Sequence, residues 1–325
     1  MDTLTKKTLK TSRGFLYTYY TSLGKPTVFL LHGWPDHAAL WEDLATRHLV
    51  PKSYGVIIPD CLGFGDSSKP TSPKDFHSIE LTSDLKDILD AENVEKVIVS
   101  GHDWGAGLAH RFYAYHPERC SGLSIFNVAA SPKPQRPLKL EEWASATKNT
   151  IGYFPAWYWY LICGPVLGPS LLNQRVESLF TALHAEPDTW MDTLCAADGL
   201  RKWLEQNKKG PVQPYATDQM REEFIQRMTR DGFESPLCYY RSRVDGRFDE
   251  QDSQLPAERY RIKVPYLFVA GTKDVVCRPD AIKVAAGLGL LPQLTVREVD
   301  AGHWCMLAKP DEVGNFVVEW LENTF

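Results

Sequence analysis

The chain has 325 residues, 43% of them hydrophobic and 24% charged, with 36 Lys and Arg against 41 Asp and Glu. That composition excludes a disordered, collagen-like or coiled-coil chain, and a formal charge of −5 offers no clustered positive surface for nucleic acid or anionic membrane. The length exceeds one ordinary domain of about 100–200 residues, and the surplus needs a place in the fold.

The first residues, Met1 to Gly14, carry basic side chains with no apolar run behind them, so neither a secretory signal nor an anchor is expected there. Four short apolar runs follow: Thr27 to Leu31, Gly55 to Pro59, Val97 to Ser100 and Leu123 to Val128. They are too short for helices and rich in Val, Ile and Phe, as strands buried on both faces of a parallel sheet are. Ser78 to Ala91, with Ile79, Leu85, Ile88 and Leu89 on one side, and Leu108 to His116 have helical spacing. Strand alternating with helix predicts an α/β chain with a mostly parallel, doubly wound sheet.

The alternation then stops. Ser131 to Pro137 holds three prolines, which suits a hinge, and the chain to Val244 reads as helices and aromatic loops. Strand patterning resumes with Val264 to Ala270 and Leu294 to Val299, with helices near Asp280 to Leu288 and Pro310 to Leu321. The expected division is therefore a split core, residues 1–130 and 245–325, with residues 131–244 inserted as a helical unit. Within the insertion, Ile151 to Leu172 contains no charge and is long enough to suggest a bilayer span. Pro155, Gly164-Pro165 and Gly168-Pro169 interrupt it, so buried turns and short helices lining an apolar cavity are expected, without stable membrane insertion. Seven scattered cysteines without a C-x-x-C spacing point to reduced thiols and a cytoplasmic setting. The C-terminal ENTF is not a peroxisomal address.

Chemistry concentrates where strands end. The run ending at Ser100 leads into Gly101-His102-Asp103-Trp104-Gly105 and then a helix, the form of a nucleophile elbow with Asp103 at its centre. A carboxylate with an ordinary pKa of about 3.9 is already ionised at neutral pH and needs no base to act as a nucleophile. Attack on an electrophilic carbon would give an alkyl ester whose carbonyl carbon belongs to the enzyme. Water must then attack that carbon, so an oxyanion hole must face Asp103 itself. His303, after the last predicted strand, is placed as the base for that water, and Asp274, in Gly-Thr-Lys-Asp-Val-Val, as the partner of its imidazole. The backbone N–H groups of Trp34 and Trp104 are the candidate hole, and both side chains are candidate substrate contacts. His32 and His102 are expected to order loops. No Gly-rich phosphate loop, H-E-x-x-H or metal-ligand cluster occurs, so no cofactor and no metal is expected.

With His32 to Asp36 (HGWPD), Pro59 to Pro70 (PDCLGFGDSSKP), Gly101 to Gly107 (GHDWGAG), GTKDVV and Gly302 to Pro310 (GHWCMLAKP), the chain resembles the α/β-hydrolase-fold epoxide hydrolases. The likeness spans the whole core and implies an α/β-hydrolase fold with an inserted helical cap. It further implies two cap tyrosines that hydrogen-bond the epoxide oxygen as the ring opens. Tyr240 in PLCYYRS fits the later one, with Tyr239 as its rival. Tyr158 is favoured for the earlier one over Tyr153 and Tyr160. Tyr153 and Tyr239 remain candidate substrate contacts. A phenol of pKa about 10 can give a hydrogen bond or a proton while un-ionised at rest.

The expected reaction turns a small apolar epoxide and water into a vicinal diol. A dehalogenase using the same aspartate is the first alternative. Resemblance counts against it: the haloalkane type has Asn where Trp34 stands, and the fluoroacetate type has Arg where Trp104 stands. The second alternative is a non-catalytic ligand-binding or pathway protein on the same scaffold. Nothing in the sequence specifies an oligomeric state.

Overall fold

The apolar runs become the middle of an eight-stranded sheet in the computed structural model, which describes residues 1–325. The strands are β1 (Thr5–Lys10), β2 (Leu16–Ser22), β3 (Thr27–Leu31), β4 (Gly55–Pro59), β5 (Val97–His102), β6 (Cys120–Phe126), β7 (Tyr266–Gly271) and β8 (Leu294–Val299). Their order across the sheet is β1-β2-β4-β3-β5-β6-β7-β8. From β4 to β8 every pairing is parallel, whereas β1–β2 and β2–β4 are antiparallel.

Strands β3, β4, β5 and β7 are buried at every position, which is why their sequences run apolar without alternation. The N-terminal pair β1–β2 escapes the sequence pattern for the opposite reason. β1 is exposed along almost its whole length and carries Lys6, Lys7 and Lys10, charges that blunt an open sheet edge.

Helices α1 (Ser78–Ala91) and α2 (Trp104–Tyr115) flank the first half of the sheet. Between β6 and β7 the chain forms α3 (Leu140–Ile151), α4 (Trp159–Ile162), α5 (Leu167–Gln174), α6 (Val176–Leu183), α7 (Thr189–Thr193), α8 (Gly199–Glu205), α9 (Asp218–Asp231), α10 (Cys238–Val244) and α11 (Arg247–Gln254). Helical structure thus runs past Val244 before the sheet resumes. After β7 come α12 (Ala281–Gly287), α13 (Cys305–Ala308) and α14 (Pro310–Thr324).

The uncharged stretch from Ile151 to Leu172 is broken as its prolines demand. It contains α4 and the start of α5, and no helix of the protein is long and apolar enough to cross a membrane. Pro155, Ala156, Tyr158 and Trp159 from this stretch line an internal cavity. None of the seven cysteines is in a disulfide.

Candidate active site

The turn from β5 into α2 places Asp103 at φ 52°, ψ −123°, a conformation that L-residues adopt at a cost of about 1–3 kcal/mol. Two glycines make the turn possible. A Cβ on Gly101 would run into the Gly105 carbonyl, and one on Gly105 into the Leu31 and His32 carbonyls. Gly33 has the same constraint from above, because a Cβ there would strike the Asp103 carboxylate and the Trp104 nitrogen. The HGWPD loop after β3 therefore lies directly on Asp103.

That closeness sets the electrostatics. Asp103 Oδ1 accepts the Trp34 N–H at 2.8 Å, and the nearby Trp104 N–H favours the charged carboxylate. Burial raises the Asp103 pKa, against the pull of His303 and these two N–H groups. The two backbone donors proposed from sequence do face the enzyme's own carboxyl group.

His303 follows β8 and is 6% exposed. Its Nδ1–H donates to Asp274 Oδ2 at 2.6 Å, and its Nε2 stands 3.7 Å from Asp103 Oδ2. Burial lowers the His303 pKa, but the charge and hydrogen bond of Asp274, with Asp103 and Asp36 adding, leave it above the ordinary value. Asp274 is itself fixed, its Oδ1 accepting the N–H groups of Val276 and Cys277 at 2.9 and 2.8 Å.

Asn127 was not among the sequence candidates, yet it braces the pair. Its amide donates to Asp274 Oδ2 at 3.1 Å and to the His303 carbonyl at 2.5 Å, while its Oδ1 accepts the Gly271 N–H at 2.8 Å. It sits just beyond β6 at φ 63°, inside the run read as strand from Leu123 to Val128. An Asn at the C-terminal end of a central parallel strand was the available signal.

Asp36 was likewise missed beyond its place in the HGWPD motif. Its Oδ2 accepts Trp304 Nε1–H at 2.9 Å, and burial pushes its pKa up to about 6. His32 and His102 are loop-ordering, as expected. His32 Nε2 accepts the Cys61 N–H at 2.9 Å and His102 Nε2–H donates to the His303 carbonyl at 2.9 Å, both rings being held neutral by burial.

Above Asp103, Tyr158 and Tyr240 line the same cavity, their rings 6.1 Å apart and nearly perpendicular. Burial, then the charge of Asp103 and their neighbours, pushes both phenols well above the ordinary range, so both remain protonated donors. Tyr240 packs edge-on against Trp34, Trp104 and Trp159 at 5.8, 5.0 and 5.1 Å. Tyr239 also lines the cavity, but only its larger part, whereas Tyr158 and Tyr240 border both parts beside Asp103. Tyr153 does not line the cavity: its hydroxyl donates to the Val275 carbonyl at 2.7 Å, which corrects its assignment as a substrate contact. Tyr160 is 40% exposed and lies outside as well. Trp104 lines the larger part of the space, with a volume of about 330 Å³, and Trp34 an adjoining part of about 20 Å³.

Asp274, Cys277 and His303 bring three possible metal-ligand atoms within 4.8 Å of one another. Their chemistry is already committed. The imidazole Nδ1–H serves Asp274, and burial pushes the Cys277 thiol well up, keeping it protonated. The arrangement suits proton transfer better than metal binding.

Known proteins resemble the chain in sequence and in fold. Residues 26–310 match the family model described as alpha/beta hydrolase fold. Epoxide hydrolase A of Mycobacterium tuberculosis is 28% identical over 92% of this chain and 91% of its own length. Epoxide hydrolase srdG of Neurospora crassa is 27% identical over 91% and 86%. Among solved structures, epoxide hydrolase A from Mycobacterium thermoresistibile superposes with a TM-score of 0.80 at 24% identity, covering 99% of each chain. An epoxide hydrolase from an endophytic Streptomyces gives 0.83 at 21% identity, covering 98% of this chain and 96% of that one. The two curated relatives named here are epoxide hydrolases, and the chain belongs to the α/β-hydrolase-fold family.

Proposed function

We propose that the protein hydrolyses apolar epoxides to vicinal diols through an ester on Asp103. The observation that carries this is a carboxylate at the elbow with two backbone N–H groups on it, His303 Nε2 3.7 Å away, and two buried phenols opposite. An Asp103 oxygen attacks one ring carbon, the carbon–oxygen bond breaks, and the leaving oxygen takes a proton from Tyr158 or Tyr240. His303 then removes a proton from water, and the hydroxide adds to the Asp103 carbonyl carbon. Negative charge develops on the ester oxygen facing the Trp34 and Trp104 N–H groups. Collapse releases the diol, whose oxygen takes the proton back from His303, and the proton left on the Asp103 carboxyl returns to the tyrosinate, restoring both groups.

Residues 131–244 act as a cap in this scheme, since they supply both phenols. A phenol pair over the leaving group suits an oxygen that must be protonated, whereas a halide leaves unprotonated. That favours epoxide opening over dehalogenation by the same aspartate. An ionised, hydrogen-bonded nucleophile beside a paired histidine equally favours catalysis over mere ligand binding.

The test is one turnover with enzyme in excess in water enriched in oxygen-18. The first diol is expected to carry light oxygen, because the new oxygen comes from Asp103, and the protein is expected to gain the label. Heavy oxygen in that first diol would sink the covalent route.

A further inference from the structure

The space around Asp103 is strongly lopsided. Asp103, Tyr158, Tyr240 and Val276 border both parts of it, so the reacting ring would sit at their junction. On one side lies the lobe of about 330 Å³, on the other a lobe of about 20 Å³. A site needs roughly 10–15 Å³ of such volume to hold one water, so the small lobe takes a water or a methyl group and no chain.

The small lobe is closed by side chains that cannot readily withdraw. Leu183, Trp190 and Leu194 form its wall, each at most 5% exposed. Trp190 Nε1–H donates to the Ala182 and Leu183 carbonyls, both at 3.1 Å, which pins the indole to the end of α6. The Leu194 carbonyl accepts the Tyr158 N–H at 3.2 Å, so moving this wall also moves a phenol of the site. His303 borders this lobe too, which makes it the place from which a water can reach the ester.

The large lobe runs along α2. Trp104, Gly107, Leu108 and Arg111 line it, a helical spacing that puts all four on one face. At 1.5 Å per residue, Trp104 to Arg111 covers about 10 Å. Gly107 contributes width, since no heavy atom lies within 4 Å of where its Cβ would stand. Arg111 and Arg243 also line this lobe, each packed on the Phe248 ring at 4.9 and 5.4 Å. Each is paired with its own buried carboxylate, Arg111 with Asp252 and Arg243 with Asp249. The lining is therefore charge-balanced, which suits a neutral arm.

The geometry points to a terminal epoxide as substrate: one ring carbon bare or methyl-bearing toward Leu183, Trp190 and Leu194, the other carrying a single neutral apolar arm of up to about 10 Å along α2. This rests on the epoxide-hydrolase assignment and narrows it. Epoxides lying mid-chain, with a sizeable arm on each carbon, do not fit, because one arm would have to occupy the space next to His303.

The test compares 1,2-epoxyoctane, cis-4,5-epoxyoctane and 1,2-epoxypropane. With the native enzyme, kcat/KM for the terminal octane epoxide is expected to exceed that for the internal isomer by about a hundredfold. Leu194→Ala is expected to narrow that ratio by about tenfold, through faster turnover of the internal isomer. Gly107→Leu is expected to lower kcat/KM for 1,2-epoxyoctane relative to 1,2-epoxypropane by about tenfold. The added side chain enters open space in a helix, where leucine is the better helix former, so this variant keeps the test available if Leu194→Ala fails to fold. Equal turnover of the two octane isomers by the native enzyme overturns the inference and leaves the hydrolase assignment standing. An unchanged chain-length preference in Gly107→Leu also overturns it. No turnover of any of the three epoxides overturns the hydrolase assignment itself.

Discussion

At the scale of single residues, the charge on Asp103 would govern the whole of the proposed cycle. While ionised it helps hold the His303 pKa up, and once esterified it no longer does. In the proposed mechanism, ester formation would therefore convert His303 into a readier base just when water must be activated. Two outcomes follow. The His303 imidazole is expected to titrate at lower pH in Asp103→Asn than in the native protein, which NMR titration checks. His303→Gln is expected to form the ester and stop, giving a protein heavier by one substrate in mass spectrometry. On the acid side, kcat/KM is expected to fall at a pH above the ordinary carboxylate range, because burial raises the pKa of the nucleophile. Asp36 links charge to stability instead. Its folded pKa, about 6, lies above the unfolded value, so folding favours its protonated form. Its contribution is present below the ordinary carboxylate range of about 4 and is lost as pH rises through about 6. Asp36→Asn, with an amide oxygen still available to Trp304, is expected to flatten the dependence of melting temperature on pH across that window. Asp103, Asp274 and His303 were legible in the sequence because each follows a strand at a fixed place in a motif. Asn127 and the Asp36–Trp304 bond were not, since their partners lie far along the chain and meet only when the sheet forms.

At the scale of elements, the β5–α2 turn exchanges stability for position. Asp103 at φ 52° occupies a region that glycine enters freely, and its carboxylate is buried as well. Asp103→Gly is expected to be inactive yet more stable than the native protein, by about 1 kcal/mol, in urea denaturation. Asp103→Asn retains the backbone strain and serves as the control. The opposite case is Gly105→Ala. Its Cβ would meet the Leu31 and His32 carbonyls, so loss of folded protein, or a melting temperature lower by several degrees, is expected. The buried strands were readable from residue type alone. β1 was not, because an exposed lysine-bearing edge lacks the apolar run that marks a strand buried on both faces, and neither was β2, whose LYTYYTS mixes Thr and Ser among its tyrosines. The width of each lobe beside Asp103 also escaped the sequence. It depends on how α6 and α7 pack against the loop after β8, where Trp190 meets His303 and Trp304, which is a matter of packing between distant segments.

At the scale of the whole molecule, the surplus length becomes the helical layer over the C-terminal ends of the strands, and it contributes both phenols and the wall of the small lobe. Six strands precede this layer and two follow it. The parallel pairing of β6 with β7 consequently joins Leu123 to Tyr266 and Phe126 to Val269, contacts whose closure is slow on entropic grounds. Order of synthesis gives this a biological consequence. At about 5–20 residues per second, the ribosome needs on the order of 10 s to make residues 127–265 after finishing β6. Throughout that interval β6, which is buried along nearly all its length in the folded protein, is an open edge able to pair with another nascent chain. The window in which this protein is most exposed to aggregation is thus set by the length of the segment that later roofs its active site, and a chaperone would be needed most between the sixth strand and the seventh.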